Sequence, residues 1–274
     1  MIEIVHTGQG PLGQKMIRSA VERGSFRLAG AVDVDPAKSG REAGEFCGIE
    51  PLGVPLFRHA RRRTPGPIPQ VAVPTTVSGV AAFEPQLAAL AKAELPAVCT
   101  CEELLFPWRR QPELARRIDQ VCRDHGIACV GTGVNPGFLM DYLPSVLTGL
   151  CQEVTGVRVW RIQDASVRRV PFQQKIGAGP TLRESEAKHK AVTLRHVGLP
   201  LPESVDFLAA RLGWRLDRVT ESLAPVIAER EVTIGRRPIA RGMAAGVFQA
   251  GRGFLGDDDV LTPTFRAAVG EPES

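Results

Sequence analysis

The chain opens on an apolar run, Ile2-Glu-Ile-Val5, followed by clustered glycines and then by apolar positions at helical spacing. This pattern predicts a strand over 2–7, a glycine turn over 8–13, a helix over 14–23 and a second strand over 28–33. The alternation continues. Strands at 71–73 and 97–101 flank an Ala- and Leu-rich helix at 83–92. The amphipathic stretch 112–124 ends in His125-Gly126, a basic last turn and a glycine stop, before a further strand at 127–130. Strands alternating with helices predict an α/β unit with a doubly wound parallel sheet over residues 1–134.

After Gly131 the pattern changes. A Pro and Gly turn leads into a helix at 138–150, and the alternating run 156–162 predicts an antiparallel strand. A helix at 204–212 and extended segments at 231–234, 243–254 and 260–269 follow, so residues 135–274 are expected to form a second, α+β domain with a mostly antiparallel sheet. No internal repeat or low-complexity tract interrupts this order.

Composition narrows the function classes. The chain has 274 residues, 43% hydrophobic and 23% charged, enough for sizeable cores in two domains. Its net charge is only +4, with Arg61-Arg62-Arg63 as the one compact basic run, read as a solvated loop, so no nucleic-acid partner is expected. No apolar run reaches the length needed to cross a bilayer, and the N-terminus shows no export signal; a cytoplasmic enzyme is expected. The six cysteines lack paired metal-ligand spacing, so neither a metal site nor disulfides are expected.

The chemistry begins with Gly8-Gln-Gly10-Pro-Leu-Gly13, a G-x-G-x-x-G sequence that follows a strand, opens a helix and is answered by Asp33 at the end of the next strand. In that context the motif marks a Rossmann-type dinucleotide site. The glycines permit a tight turn and close approach to a pyrophosphate, and N–H groups at the helix start hold the phosphates. Gly8, Gln9, Gly10, Pro11, Leu12, Gly13 and Asp33 are therefore expected at the cofactor, with Thr75, Thr76 and Cys101 from later strand ends of the same sheet. Asp33 favours the free 2′-hydroxyl of NAD, whereas Lys38 and Arg41 just behind it suit the 2′-phosphate of NADP, and the choice stays open.

Later segments resemble the 2,4-diaminopentanoate dehydrogenase and native amine dehydrogenase family, related to dihydrodipicolinate reductase through its N-terminal domain. The resemblance rests on Thr100-Cys-Glu-Glu-Leu104 with Pro107-Trp108, Gly131-Thr-Gly-Val-Asn-Pro-Gly137 with Met140-Asp141, Gln163-Asp-Ala-Ser166 running on to Gly179, and His196-Val-Gly-Leu199 with Leu212-Gly-Trp214. The chain departs from the family pattern at 180–190, at Leu104-Leu-Phe106, and in its early end, which implies an abridged second domain. The paired-histidine motif of the dihydrodipicolinate reductases is absent, which ranks cyclic imine reduction below amine chemistry.

The resemblance implies an NAD(P)-dependent amine dehydrogenase that joins a small ketone and ammonia reversibly. A carboxylate suits that reaction, because it binds ammonium, takes its proton as base and steadies the iminium cation. Glu102 and Glu103 stand just beyond a parallel strand's C-terminal end, where open α/β sheets place ligands, and Glu102, nearer the strand, is the preferred base. The other reading makes both simple first-turn acids of a helix. Asn135, in the Asn-Pro-Gly turn, bonds the nicotinamide carboxamide or fixes the turn. Phe138, Met140 and Tyr142 flank nicotinamide and substrate. Arg168 and Arg169 hold a substrate carboxylate or pair with surface acids, and His196 donates to substrate or ribose or is structural. Exposed strand edges and the family together imply a homodimer. The alternatives are a cyclic imine reductase and a non-catalytic dinucleotide-binding sensor.

Overall fold

The computed structural model describes residues 1–58, 69–168, 170–181, 183–184, 201–234 and 237–270. The arginine run at 61–63, Arg169 and His196 lie outside them. The chain divides into two compact units, Met1–Gly133 and Val134–Ser274.

In the first unit β1 (Ile2–Thr7), β2 (Phe26–Val32), β3 (Leu56–Phe57), β4 (Val71–Pro74), β5 (Ala97–Cys99) and β6 (Cys129–Gly131) form one sheet in the order β3-β2-β1-β4-β5-β6. Every pairing is parallel. The order reverses between β1 and β4, the switch point at which doubly wound sheets bind dinucleotides. Helices α1 (Pro11–Glu22) and α2 (Ala43–Cys47) bury Ile17 and Cys47 with Ile4, Leu28 and Leu56 on one face. On the other face α3 (Val80–Lys92) and α4 (Pro112–Asp124) pack Phe83, Leu87 and Ile118 with Val5 and Cys99. The unit is thus a Rossmann-type α/β domain.

Helix α1 starts three residues earlier than helical spacing alone indicates. Pro11 explains it, since at the first helical position its fixed φ is favourable and its missing N–H has no partner to lose. The second unit corrects a helix in the opposite direction. The stretch expected as one helix from 138 is helical only at α5 (Tyr142–Leu147), with a 3-10 turn at Thr148–Leu150. Pro144 sets this start, because it fits in a first turn, where N–H groups lack helical acceptors, but not in a helix interior.

The second unit continues with β7 (Val157–Asp164), α6 (Val170–Lys175), α7 (Leu201–Leu212), β8 (Arg218–Ile227), β9 (Val232–Ile234), β10 (Arg237–Ile239), β11 (Ala244–Leu255) and β12 (Asp258–Ala268). Four of the strands form a mixed sheet in the order β7-β12-β11-β8, and β9 and β10 pair separately. Strand β7 is parallel to β12, not antiparallel as its alternation had indicated. Alternation reports an edge strand with one exposed face, here Trp160 and Ile162, and carries no information about direction. The other edge strand, β8, is not apparent from the sequence; it contains Pro225, which an edge tolerates. Helix α7 covers one face of the sheet closely. A Cβ on Gly251 or Gly253 would press on Val205, whose side chain is fully buried with Leu201 and Leu208.

Candidate functional site

In the first unit the loops after β1, β2, β4 and β5 are tied together by side chain to backbone bonds. Gly8 has a φ of +91°, a backbone region that glycine enters freely. A Cβ there would press on the Thr75 carbonyl and the Thr76 methyl. At Gly13 a Cβ would run into the Gly8 carbonyl oxygen and His6. At Gly10 it would meet nothing within 4 Å, so the loop is open on that side. Gly10 caps α1 without a side chain, and Pro11 follows. The helix therefore presents its first-turn N–H groups without a side-chain acceptor, a fit for a phosphate.

Asp33 sits just beyond β2 with its side chain 9% exposed. Its Oδ2 accepts the Gln9 N–H at 2.7 Å and the Lys38 ammonium at 2.8 Å, and its Oδ1 accepts the Asp35 N–H at 3.0 Å. Burial alone would push this carboxyl up. The bonds from Lys38, Asp35 and Gln9, with the lysine's charge, outweigh burial and hold it below the ordinary range, so it is ionised. Gln9, expected at the cofactor, is turned inward instead. It is 1% exposed, its amide lies 3.1 Å from His6 Nδ1, and its own N–H belongs to Asp33. Burial lowers the His6 pKa to about 4, so the imidazole beneath the loop is neutral.

Thr75 Oγ1 donates to the Gly8 carbonyl at 2.9 Å, and Thr76 Oγ1 donates to Gln86 at 2.6 Å. Cys101 is likewise not a ligand-facing side chain. It is 1% exposed, its thiol donates to Ser78 O at 3.3 Å, and burial pushes it up to about 12.

The paired glutamates occupy a 3-10 turn, Glu102–Leu104, at the C-terminal end of β5. Gly131 lets the turn settle on β6, since a Cβ there would collide with the Leu104 carbonyl group. The structure separates the two acids. Gly79, the cap residue of α3, has no side chain to offer, and Glu103 supplies the cap from another loop: its Oε2 accepts the Val80 N–H and the Gln111 amide, each at 2.9 Å. The Glu103 N–H in turn donates to Ser78 O at 3.1 Å. Glu103 thus locks the β4 and β5 loops together. Sequence spacing misses this role, because Val80 lies 23 positions earlier and the only local signal is a helix starting at glycine.

In the second unit Asn135 precedes a cis Pro136. Its side chain is buried, and neither its Oδ1 nor its Nδ2 has a hydrogen-bond partner. The turn is held by Asp141, which is fully buried and accepts the Gly137 N–H at 2.9 Å, the Tyr142 N–H at 2.6 Å and the Ser204 hydroxyl at 2.8 Å. The turn is therefore held without the Asn135 amide. Phe138 is 46% exposed and stacks on Tyr142 with centroids 6.2 Å apart. Met140, expected to line a pocket, is instead completely buried in the unit's apolar core with Phe265 and Leu201. Arg168 is exposed and lies over the Phe172 ring, 5.3 Å from its centroid.

Among the described residues no cluster of three or more His, Cys, Asp or Glu could hold a metal ion, and no helix is long and apolar enough to cross a membrane.

Comparison with known proteins agrees with this architecture. The family model of the 2,4-diaminopentanoate dehydrogenase C-terminal domain matches residues 138–268. The family read from the sequence is the one the comparisons return. The chain is 29% identical to the 2,4-diaminopentanoate dehydrogenase of Acetoanaerobium sticklandii over 168 residues, 61% of this chain and 47% of that protein. It is 26% identical to an amine dehydrogenase of Streptomyces virginiae over 182 residues, 62% of this chain and 48% of that protein. The chain thus spans about half the length of the curated relatives it matches. The solved amine dehydrogenase structure from Mycobacterium smegmatis superposes with a TM-score of 0.80 at 22% identity, covering 100% of this chain and 80% of that one, and shows the shared fold.

Proposed function

We propose that this chain is an NAD(P)-dependent amine dehydrogenase that interconverts a small ketone plus ammonia with the corresponding amine, with Glu102 as its acid–base residue. The observation that carries the assignment of the base is the separation of the paired glutamates. Glu102 stands at the start of the 3-10 turn, at the C-terminal end of β5 where open α/β sheets place ligands, whereas Glu103 caps α3 through Val80 and bonds Gln111, so we assign the acid–base role to Glu102 and the positioning role to Glu103. The relatives' names support the reaction class. The glycine loop supports the cofactor class, with phosphates held by the first turn of α1 and the open side of Gly10.

When bound, the reduced nicotinamide supplies a hydride. The protein's part is proton management and positioning. The Glu102 carboxylate binds ammonium by a charge-assisted hydrogen bond and removes its proton, freeing the lone pair that attacks the ketone carbon. The protonated acid then returns that proton as the carbinolamine hydroxyl leaves as water, and the regenerated carboxylate steadies the iminium charge. Glu103 keeps the turn that carries Glu102 fixed relative to the β4 loop. Asn135, with both ends of its amide unpartnered, is the residue proposed to bond the carboxamide, and Phe138 and Arg168 are the proposed substrate contacts. Closure of the exposed face of β7 in a homodimer belongs to the same reading.

The test is a panel of small ketones with ammonia and both reduced cofactors, repeated with Glu102→Gln. Replacement of the base is expected to lower reductive amination by about 10²–10⁴-fold with dinucleotide affinity retained. Near-native turnover by Glu102→Gln would remove Glu102 from the mechanism, and a chain that binds the dinucleotide but turns over no ketone would be a sensor.

A further inference from the structure

We propose that the loop after β2 is built for a phosphorylated adenosine ribose, held by Lys38 and Arg41, so that the chain prefers NADP(H) to NAD(H). The inference rests on the dinucleotide reading above and deepens it.

The usual grip on an unphosphorylated ribose is a carboxylate at the end of β2 that accepts its 2′-hydroxyl. Here that carboxylate is occupied. A carboxylate has about four lone-pair sites, and Asp33 has filled three of them with Gln9, Asp35 and Lys38 while exposing 9% of its side chain. Lys38 is the more exposed member of the pair, at 23%. The Lys38 ammonium, held by Asp33 Oδ2 at 2.8 Å and by the Gln9 carbonyl at 3.5 Å, keeps one of its three donors and is the group the loop presents more openly.

A second cation stands beside the first. The Arg41 guanidinium lies over the Phe46 ring at 4.6 Å and the Lys38 ammonium over the same ring at 5.9 Å, so one aromatic side chain carries both charges. The Arg41 backbone is fixed at both ends: its N–H donates to Lys38 O at 3.2 Å and its carbonyl accepts the Leu56 N–H at 2.8 Å. Of the acids nearby, Asp35 also pairs with Lys38, and Glu42 is turned to backbone donors. Asp35 Oδ1 accepts the Ala37 N–H, with Oδ2 3.9 Å from Lys38, and Glu42 accepts the N–H groups of Glu45, Leu52 and Val54. Next to Asp33, Val34 is 77% exposed and offers an apolar surface on which a base can rest. A planar guanidinium and an ammonium gathered over one ring suit a phosphate dianion, to which each can donate charge-assisted bonds.

Binding measured without turnover tests this. Calorimetric titration with adenosine 2′,5′-bisphosphate, 5′-AMP, NADP⁺ and NAD⁺ is expected to show each 2′-phosphorylated member binding about tenfold or more tightly than its partner. The gap should narrow as salt rises. Arg41→Ala, which leaves the Asp33 and Lys38 pair intact, is expected to reduce the NADP⁺ to NAD⁺ affinity ratio by about tenfold, and Lys38→Met with Arg41→Ala to abolish it. Retained NAD⁺ binding in these variants shows that the fold survives. NAD⁺ binding as tight as NADP⁺ in the parent chain, or a gap that survives the double replacement, overturns the proposal alone. Failure of all four nucleotides to bind overturns it together with the dinucleotide reading.

Discussion

Asp33 in the first unit and Asp141 in the second each hold a glycine-containing turn by accepting backbone N–H groups, yet their surroundings differ. Asp33 takes two N–H groups and a lysine at the rim of a loop open to ligand. Asp141 takes two N–H groups and a hydroxyl with no solvent exposure at all. The first carboxylate has a cation to offset its charge and water within reach. The second rests on three uncharged donors, so it binds the Asn135-Pro136-Gly137 turn, α5 and α7 into one piece. The comparison separates a turn tied by a cation-paired, partly solvated carboxylate from a turn tied by a fully buried one with uncharged donors.

Removing each carboxylate breaks the comparison most directly. Asp141→Ala leaves the buried Ser204 hydroxyl and two partly buried N–H groups without an acceptor, and at about 1–2 kcal/mol for each it is expected to destabilise the chain by roughly 3–5 kcal/mol. Asp33→Ala removes two N–H acceptors at a site that water can enter, and about 1–2 kcal/mol is expected. Urea denaturation of both variants measures the difference. Equal losses would mean that the two turns are not distinguished by burial. Asp33→Ala should also weaken binding of both dinucleotides, because the Gln9 N–H that shapes the glycine loop loses its acceptor.

The two turns were not equally visible in the sequence. Gly8, Gly10 and Gly13 stand two and three positions apart between a strand and a helix, with Asp33 at the end of the next strand, so the local βαβ pattern placed them, and Lys38 follows within five residues of Asp33. Asp141 finds Ser204 only across 63 positions, and no local pattern encodes that pairing. The same limit hid the capping role of Glu103 and the direction of β7, whose partner β12 lies about a hundred residues on. Read from the sequence, Met140 groups with Phe138 and Tyr142 at the pocket; those two are exposed, whereas its own side of the turn faces the core. Helix spacing could not separate these cases, since both kinds of position are apolar.

A pH titration of stability sharpens the comparison from beneath the first turn. His6 and Gln9 form a buried neutral pair under the glycine loop, and burial holds the folded-state imidazole at about 4, below its ordinary 6.5. Between those values the unfolded chain binds a proton that the folded chain refuses, so the stability due to His6 is full above pH 6.5 and is lost progressively as pH falls towards 4. About 3 kcal/mol is expected over the whole window. Urea midpoints at pH 7, 6 and 5 measure the slope, and His6→Asn, which can still accept from Gln9, should flatten it. An unchanged slope in that variant would assign the acid sensitivity to other groups.

The smallest stability effect is expected at Gly10, where it separates ligand from fold most cleanly. Gly10 sits at the cap of α1 with a φ of −75°, a value any residue adopts, and a Cβ there meets no protein atom within 4 Å. Gly10→Ala therefore introduces neither strain nor a clash, and the weaker capping tendency of alanine is expected to cost less than about 1 kcal/mol. The space that the methyl group fills is the space through which the backbone approaches a pyrophosphate. Dinucleotide affinity should fall by about tenfold or more while the urea midpoint barely moves. Gly13 is the counter-case, because a Cβ there is driven into the Gly8 carbonyl and His6, so its replacement changes fold and binding together. If Gly10→Ala bound the dinucleotide as tightly as the parent chain, the loop would not be where the phosphates lie, and the first turn would serve the fold alone.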